Sequence, residues 1–82
     1  MSMELETIKE VIAEVLNVDT EEITLETTFV DDLGADSLDL FQIVLGIEER
    51  FSLDEEDMDT EAIEKIVTVG DAVELVKKAI NQ

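Results

Sequence analysis

The chain has 82 residues, and its 23 Asp and Glu residues against 5 Lys and Arg give a formal net charge of −18. This charge repels nucleic acid and anionic membrane surfaces, so the sequence predicts neither as a partner and favours partners with basic patches. It contains no Cys and no His, which excludes disulfides, thiolate metal sites and the commonest neutral metal ligand.

Size and composition predict a single helical domain over residues 1–82. A chain of this length can build a modest core but not a deep enclosed catalytic pocket. The absence of Pro and the presence of only three Gly favour helices over a turn-rich β fold. The N-terminal residues lack the regions of a signal peptide, and the most apolar stretch, Leu40 to Ile47, is too short to span a bilayer. We therefore expect a cytoplasmic protein without membrane insertion.

The first third of the chain predicts a helix followed by a long ordered loop. Apolar residues at helical spacing place the helix from about Met3 to Leu16, with Ser2 as N-cap and Asn17 as terminator. The next stretch, Val18 to Asp36, is long for a connection between helices. Its apolar side chains are expected to anchor it to the core: Ile23, Leu25, Phe29, Val30 and Leu33. Gly34 supplies backbone freedom just before the next helix.

A second helix is predicted from about Ser37 to Phe51, with Asp36 as its N-cap. The stretch that follows, Ser52 to Thr60, is acidic and is predicted to be a loop. It does not have the carboxylate spacing of an EF-hand calcium loop in any register. We expect a solvated charged segment with at most loose divalent binding, and no metal site in the chain.

The last part of the chain predicts two more helices. Glu61 to Val67 suits a short third helix, and Thr68 with Asp71 resembles a capping box that begins the final one. The inward side chains of the final helix are expected to be Val69, Ala72, Val73, Val76, Ala79 and Ile80. The predicted fold is therefore an all-α four-helix bundle, with three longer helices, one short third helix and a long first loop.

The second helix carries two apolar stripes when its residues are projected at about 100° each. The first stripe consists of Leu40, Ile43, Val44, Ile47 and Phe51, and the second stripe consists of Leu38, Phe41 and Leu45, bordered by Gln42, Glu48 and Glu49. A small bundle buries one stripe against its neighbours, so the second predicts a partner-binding surface with an apolar centre and an acidic rim. The alternative is that the long loop covers the second stripe.

Ser37 is the candidate functional residue at the start of this helix. A serine there is most often structural, but Asp36 already suits the cap and leaves the Ser37 hydroxyl free. Unpaired N–H groups and the helix dipole stabilise a phosphate at such a position. An unactivated hydroxyl is a weak nucleophile and the chain has no His base, so we expect an attachment point rather than an enzyme.

The stretch Phe29-Val-Asp-Asp-Leu-Gly-Ala-Asp-Ser-Leu-Asp39, with the apolar helix that ends Glu48-Glu-Arg-Phe51, closely resembles the acyl carrier proteins of type II fatty acid synthesis. The resemblance extends over nearly the whole chain, including its acidic composition and helix order. It implies a 4′-phosphopantetheine arm joined to Ser37 by a phosphodiester, between Asp36 and Leu38. It also implies that a phosphopantetheinyl transferase supplies the arm from coenzyme A.

The same resemblance implies a monomeric carrier of lipid metabolism that holds acyl groups as thioesters and presents them to partner enzymes. In this family the second helix is the main recognition element for acyl-processing enzymes, and the acyl chain can lie between the helices. Gln42 stands where fatty-acid carriers typically have an acidic residue, and Phe41 is bulkier than the common Val. Two alternatives stay open: a carrier for polyketide, aminoacyl or modified-lipid assembly, and an unmodified acidic protein-interaction module.

Overall fold

A computed structural model of the chain describes residues 3–54 and 60–81, and within these ranges it contains four α-helices and no strand. The helices are α1 (Met3–Leu16), α2 (Ser37–Arg50), α3 (Thr60–Glu64) and α4 (Val69–Ile80), with one 3₁₀ turn at Thr20–Glu22 in the long loop. The predicted all-α four-helix architecture with a short third helix is confirmed. α3 ends earlier than the predicted Val67, because Val67 is bonded instead to the Phe29 N–H and to the Asp71 carboxylate. Ser2, the expected N-cap of α1, and residues 55–59 of the acidic loop lie outside the described residues.

α1 follows the predicted hydrophobic pattern. Ile8, Val11 and Ile12 are its buried residues, and the helix packs against both α2 and α4. Asn17 adopts a left-handed backbone with φ of 58° immediately after the helix. This conformation is common at helix C-termini and is more accessible to Asn than to most residues, so the predicted terminator is confirmed.

α4 begins with the predicted capping box. The Thr68 hydroxyl accepts the Asp71 backbone N–H at 3.1 Å, and the Asp71 carboxylate accepts the Thr68 N–H at 3.0 Å. The same carboxylate accepts the Val67 N–H at 3.0 Å. Ile80 was expected to point inward but is exposed, because it is the last residue of the helix and lies beyond the core that ends with Ala79.

The core lies between α1, α2 and α4 and is completed by the long loop. Its buried apolar members are Ile8, Val11, Ile12, Ile23, Phe29, Ala35, Ile43, Val44, Ile47, Val69, Ala72, Val73, Val76 and Ala79. Ile23 and Phe29 are thus anchors as predicted, and Leu33 packs against the same core. Leu25 and Val30 are exposed, so their predicted role as anchors is wrong. Both residues belong to tight turns at the surface. The turn at Leu25 is closed by a bond from the Thr27 N–H to the Thr24 carbonyl, and the turn at Val30 by a bond from the Gly34 N–H to the Val30 carbonyl.

The long loop is bonded through its backbone to the start of α4. Thr28 pairs with Thr68 in an isolated antiparallel bridge. Three bonds surround this bridge: Phe29 N–H to the Val67 carbonyl at 3.0 Å, Val69 N–H to the Thr27 carbonyl at 2.8 Å, and Gly70 N–H to the Leu25 carbonyl at 2.9 Å. They satisfy backbone groups that neither the loop nor the helix start could satisfy alone. As a result, the loop segment that precedes α2 is fixed to the bundle.

α1 and α2 approach closely at Gly46. A Cβ at this position would lie 2.7 Å from the Val11 Cγ1, closer than real contacts allow. Arg50, near the end of α2, also donates to Glu10 at 3.3 Å and to Glu14 at 2.8 Å. Exposed ion pairs of this kind contribute about 0.2–1 kcal/mol each, so close apolar packing is the main attachment of α1 to α2.

Candidate functional site

Ser37 is the first residue of α2 and is exposed to solvent. Asp36 is the N-cap, as predicted: its carboxylate accepts the Asp39 backbone N–H at 2.9 Å, and the Asp39 carboxylate accepts the Asp36 N–H at 3.2 Å. Among the residues that the structure describes, the Ser37 hydroxyl has no hydrogen-bond partner. The two aspartates therefore stabilise the helix start and leave the serine oxygen open.

The electrostatic field at Ser37 has two opposing components. Unpaired N–H groups and the dipole of a 14-residue helix favour a negative group at this end. The carboxylates of Asp36 and Asp39 partly offset that attraction. The one basic side chain of α2 is Arg50, at the opposite end of the helix. The site therefore suits a phosphodiester on the Ser37 oxygen.

The second stripe of α2 is exposed. The exposed fractions of its residues are 63% for Leu38, 59% for Phe41 and 40% for Leu45. The long loop does not cover them, so the alternative in which it does is wrong. Gln42 and Glu49 are exposed on the same helix, where they were predicted. The stripe, which begins next to Ser37, is an apolar surface that a soluble monomer seldom leaves unused.

Glu48 was predicted to lie on the rim of this surface, and the structure corrects that assignment. Its exposed fraction is only 8%, so it belongs to the buried side of α2. On the helical projection it lies about 40° from the position of buried Val44. The chain also folds back here after α2, because the Leu53 N–H donates to the Glu48 carbonyl at 2.8 Å. Its burial removes Glu48 from the rim.

The first stripe of α2 is buried as predicted, except for Leu40 and Phe51, which are half-buried. A small apolar cavity lies behind this stripe. Its volume is about 20 Å³, and it is lined by Phe29, Leu40, Ile43, Val44, Ile47, Ile63, Ile66 and Ala72. This is little more than the space of a single water-sized probe. Any longer apolar group that entered here would have to separate α2 from the α3 region.

No group of three or more metal-binding side chains comes together within residues 3–54 and 60–81. In the same ranges, no helix combines the length and apolarity needed to cross a membrane.

The fold and the exposed serine at a capped helix start define a small carrier domain of the kind that accepts a prosthetic arm. The family model described as the phosphopantetheine attachment site matches residues 6–76. An acyl carrier protein of Clostridium acetobutylicum is 43% identical over 75 residues, which cover 92% of this chain and 94% of the relative. One of Wolinella succinogenes is 50% identical over 70 residues, which cover 85% of this chain and 88% of the relative.

The chain belongs to the acyl carrier protein family, and the resemblance seen in its sequence is confirmed. Its cofactor is phosphopantetheine, for which the matched family is named. The residues present fit this group, because the exposed Ser37 hydroxyl can form a phosphodiester at a helix N-terminus. Acyl carrier proteins are carriers, and the chain belongs to this class.

Sequence reasoning missed one feature of this region, the turn that leads to Ser37. The Thr28 N–H donates to the Asp32 carboxylate at 2.8 Å, and the Asp32 N–H donates to the Thr28 hydroxyl at 3.0 Å. The pattern of a Thr followed closely by an Asp was used to predict the capping box of α4. The pair at this turn is spaced by four residues instead of three, so the capping-box pattern applied at Thr28 would have indicated Asp31 and not Asp32.

Proposed function

We propose that Ser37 is the residue that carries the 4′-phosphopantetheine arm. The observation that supports this most strongly is the division of roles at the start of α2, where Asp36 and Asp39 form the cap and the Ser37 hydroxyl has no structural partner. The chain has two other serines, Ser2 and Ser52. Ser52 is exposed but lies after the C-terminus of α2, where the helix dipole disfavours a phosphate.

The modification requires a separate transferase. The bond from the Ser37 oxygen to phosphorus forms as the pyrophosphate bond of coenzyme A breaks. Adenosine 3′,5′-bisphosphate leaves, and the hydroxyl proton passes to a base of the transferase. The terminal thiol that the arm supplies holds acyl groups as thioesters, so the chain itself provides tethering and presentation and is not an enzyme.

The second stripe of α2 is the proposed docking surface for the transferase and for acyl-processing enzymes. Leu38, Phe41 and Leu45 form its apolar centre, and Gln42 and Glu49 lie beside it. A partner with an apolar pocket and a basic rim would match this surface and the net charge of −18. An aromatic residue at its centre has the properties of a binding hot spot.

The pathway that best fits the family and the acidic helix is fatty acid biosynthesis. We further propose that the chain is one domain over residues 1–82 and works as a cytoplasmic monomer. Gln42 and Phe41 favour a second candidate, a carrier for a specialised polyketide, aminoacyl or modified-lipid route, because both alter the surface that enzymes recognise. A reconstituted type II fatty acid synthase offered this chain in place of its own carrier should lengthen acyl groups on it. Loading only by enzymes of another route would favour the second candidate.

The attachment site is tested by incubating the purified chain with coenzyme A and a phosphopantetheinyl transferase and recording its intact mass. Wild type and the matched control Ser52→Ala should each gain one 4′-phosphopantetheinyl unit, and Ser37→Ala should gain none. An equal gain on Ser37→Ala would reject this serine. No gain on any variant would favour the unmodified interaction module.

A further inference from the structure

We propose that Asp32 is a positioning residue for the modification of Ser37: through its reciprocal hydrogen bonds with Thr28 it closes the turn that sets where the serine is presented. This inference rests on the proposed function of Ser37. Asp32 is exposed and lies outside the second stripe of α2, and the family comparison gives it no role.

The turn consists of residues 28–35 and is held by both side-chain and backbone hydrogen bonds. The two Thr28–Asp32 bonds, at 2.8 and 3.0 Å, fix its base. Within it the Leu33 N–H donates to the Thr28 carbonyl at 3.2 Å, and the Gly34 N–H donates to the Val30 carbonyl at 3.0 Å. Gly34 has φ of 69°, a left-handed conformation that allows the chain to reverse here.

Both ends of the turn are anchored in the core. Phe29 and Ala35 are buried, and the Ala35 N–H donates to the Phe29 carbonyl at 2.9 Å. The Phe29 N–H in turn donates to the Val67 carbonyl at 3.0 Å, just before α4. Ala35 is only two residues before Ser37. Two hydrogen bonds therefore link Ala35, which lies just before α2, through Phe29 to Val67, which lies just before α4.

The Asp32 carboxylate is the acceptor for the Thr28 N–H in this set. Without the Asp32 carboxylate, the Thr28 N–H must bond to water instead, and one of the two Thr28–Asp32 bonds is lost. The backbone hydrogen bonds of the turn and its buried anchors, Phe29 and Ala35, remain. The fold should survive, but the residues before α2 should sample a wider range of positions. Phosphoryl transfer needs in-line alignment of the attacking oxygen, and small misplacements of a reacting group reduce rates strongly.

The test compares three variants that each remove one negative charge. Asp32→Ala removes the charge and the acceptor, whereas Asp32→Asn removes the charge but keeps an oxygen that can accept the Thr28 N–H. Asp31→Ala removes the neighbouring charge, and Asp31 has no hydrogen bond or ion pair among the described residues. A fourth variant, Asp19→Ala, serves as a control near the other end of the long loop. It deletes a comparable exposed bond, in which the Asp19 carboxylate accepts the Glu21 N–H at 3.1 Å.

The measurements are kcat/KM for arm transfer from coenzyme A, at a temperature where every variant is folded, and amide hydrogen exchange of Ala35. We expect Asp32→Ala to lower kcat/KM about threefold to tenfold, the range of one lost hydrogen bond, and to speed exchange at Ala35. The other three variants should stay near wild type in both readouts.

Three results would overturn the positioning role. Equal rates for Asp32→Ala and wild type would show that the bond is irrelevant to transfer. Equal losses in Asp32→Ala, Asp32→Asn and Asp31→Ala would assign the effect to charge recognition by the transferase. A similar loss in Asp19→Ala that Asp31→Ala does not share would assign it to general loop stability. Failure of wild type to accept an arm would instead reject the proposed function of Ser37, which makes the two failures distinguishable.

Discussion

The Asp36 carboxylate accepts the backbone N–H of Asp39 at 2.9 Å, and the Asp39 carboxylate accepts the backbone N–H of Asp36 at 3.2 Å. Ser37 lies between these two residues in the sequence, and its hydroxyl takes no part in the exchange. Stabilising the helix and presenting the serine are therefore tasks of different side chains.

This division predicts unequal stability effects at adjacent positions. Asp36→Ala should lower the free energy of unfolding by about 1 kcal/mol because it removes the N-cap acceptor of α2. Ser37→Ala should change it by less than about 0.5 kcal/mol, since the hydroxyl has no structural partner. Urea denaturation of the two variants provides the comparison. A loss in Ser37→Ala as large as that in Asp36→Ala would mean that the serine is part of the cap.

The second stripe should matter for binding more than for folding. Phe41→Ala should weaken the affinity of a phosphopantetheinyl transferase for the chain about tenfold, because an aromatic anchor is lost. Its free energy of unfolding should fall by only about 0.5 kcal/mol, since 59% of the side chain is already exposed. Calorimetric titration and urea denaturation measure the two quantities.

Ile80→Ala is the matched control for this prediction, because it shortens an exposed apolar side chain on α4 instead of α2. Its affinity for the transferase should equal that of wild type. If Phe41→Ala lost several kcal/mol of stability while binding normally, the stripe would have to be assigned to the fold.

The capping box of α4 predicts a pH dependence. Backbone N–H donors from Thr68 and Val67 lower the pKa of Asp71 below its ordinary value of 3.8. Because the folded pKa is the lower one, the stabilisation is fully present above the unfolded pKa and is lost as pH falls through the folded pKa. Asp71→Asn should therefore be less stable than wild type near neutral pH, and the difference should shrink on acidification below about pH 4.

The control for Asp71→Asn is Glu74→Gln on the same helix. It removes the same single negative charge, and Glu74 has no hydrogen bond or ion pair among the described residues. Thermal melts over a pH series give the comparison. A difference between Asp71→Asn and Glu74→Gln that stays constant with pH would contradict the role of the ionised carboxylate.

The contact between Gly46 and Val11 predicts an unfavourable Gly-to-Ala substitution inside a helix. Ala is normally better than Gly there by about 1 kcal/mol. In this chain its Cβ would meet the Val11 Cγ1 at 2.7 Å, and overpacking of a core costs about 1–3 kcal/mol. Gly46→Ala should thus be destabilising in wild type and neutral or stabilising in a Val11→Ala background, as measured by urea denaturation. Stabilisation in both backgrounds would show that α1 adjusts freely.

Local patterns in the sequence were sufficient to predict α1, α2 and α4 and the caps of α2 and α4. The spacing of Ile8, Val11 and Ile12 depends only on the period of a helix, and the Asp36 and Thr68 caps depend on residues within three positions. These features could be predicted since they require no knowledge of distant parts of the chain. The same periodicity indicated the second stripe of α2, but its exposure at Phe41 also depended on the path of the long loop, which periodicity does not give.

The errors concern residues whose environment depends on the path of an irregular segment. Glu48 is buried at the end of α2, beside the segment where the chain folds back, and no periodicity indicates that path. Leu25 and Val30 are apolar but occupy surface turns, where the spacing of helices and strands does not apply. Gly46 and Val11 are 35 positions apart and meet because α1 packs against α2. A single sequence does not specify which residues of two helices will meet.

The central claim, that Ser37 carries the arm, is tested most directly by locating the modification. The chain is incubated with coenzyme A and a phosphopantetheinyl transferase, digested, and the peptides are fragmented in a mass spectrometer. We expect a single 4′-phosphopantetheinyl group, joined to Ser37. The same group on Ser2 or Ser52, or an unmodified Ser37 peptide after complete reaction, would contradict it.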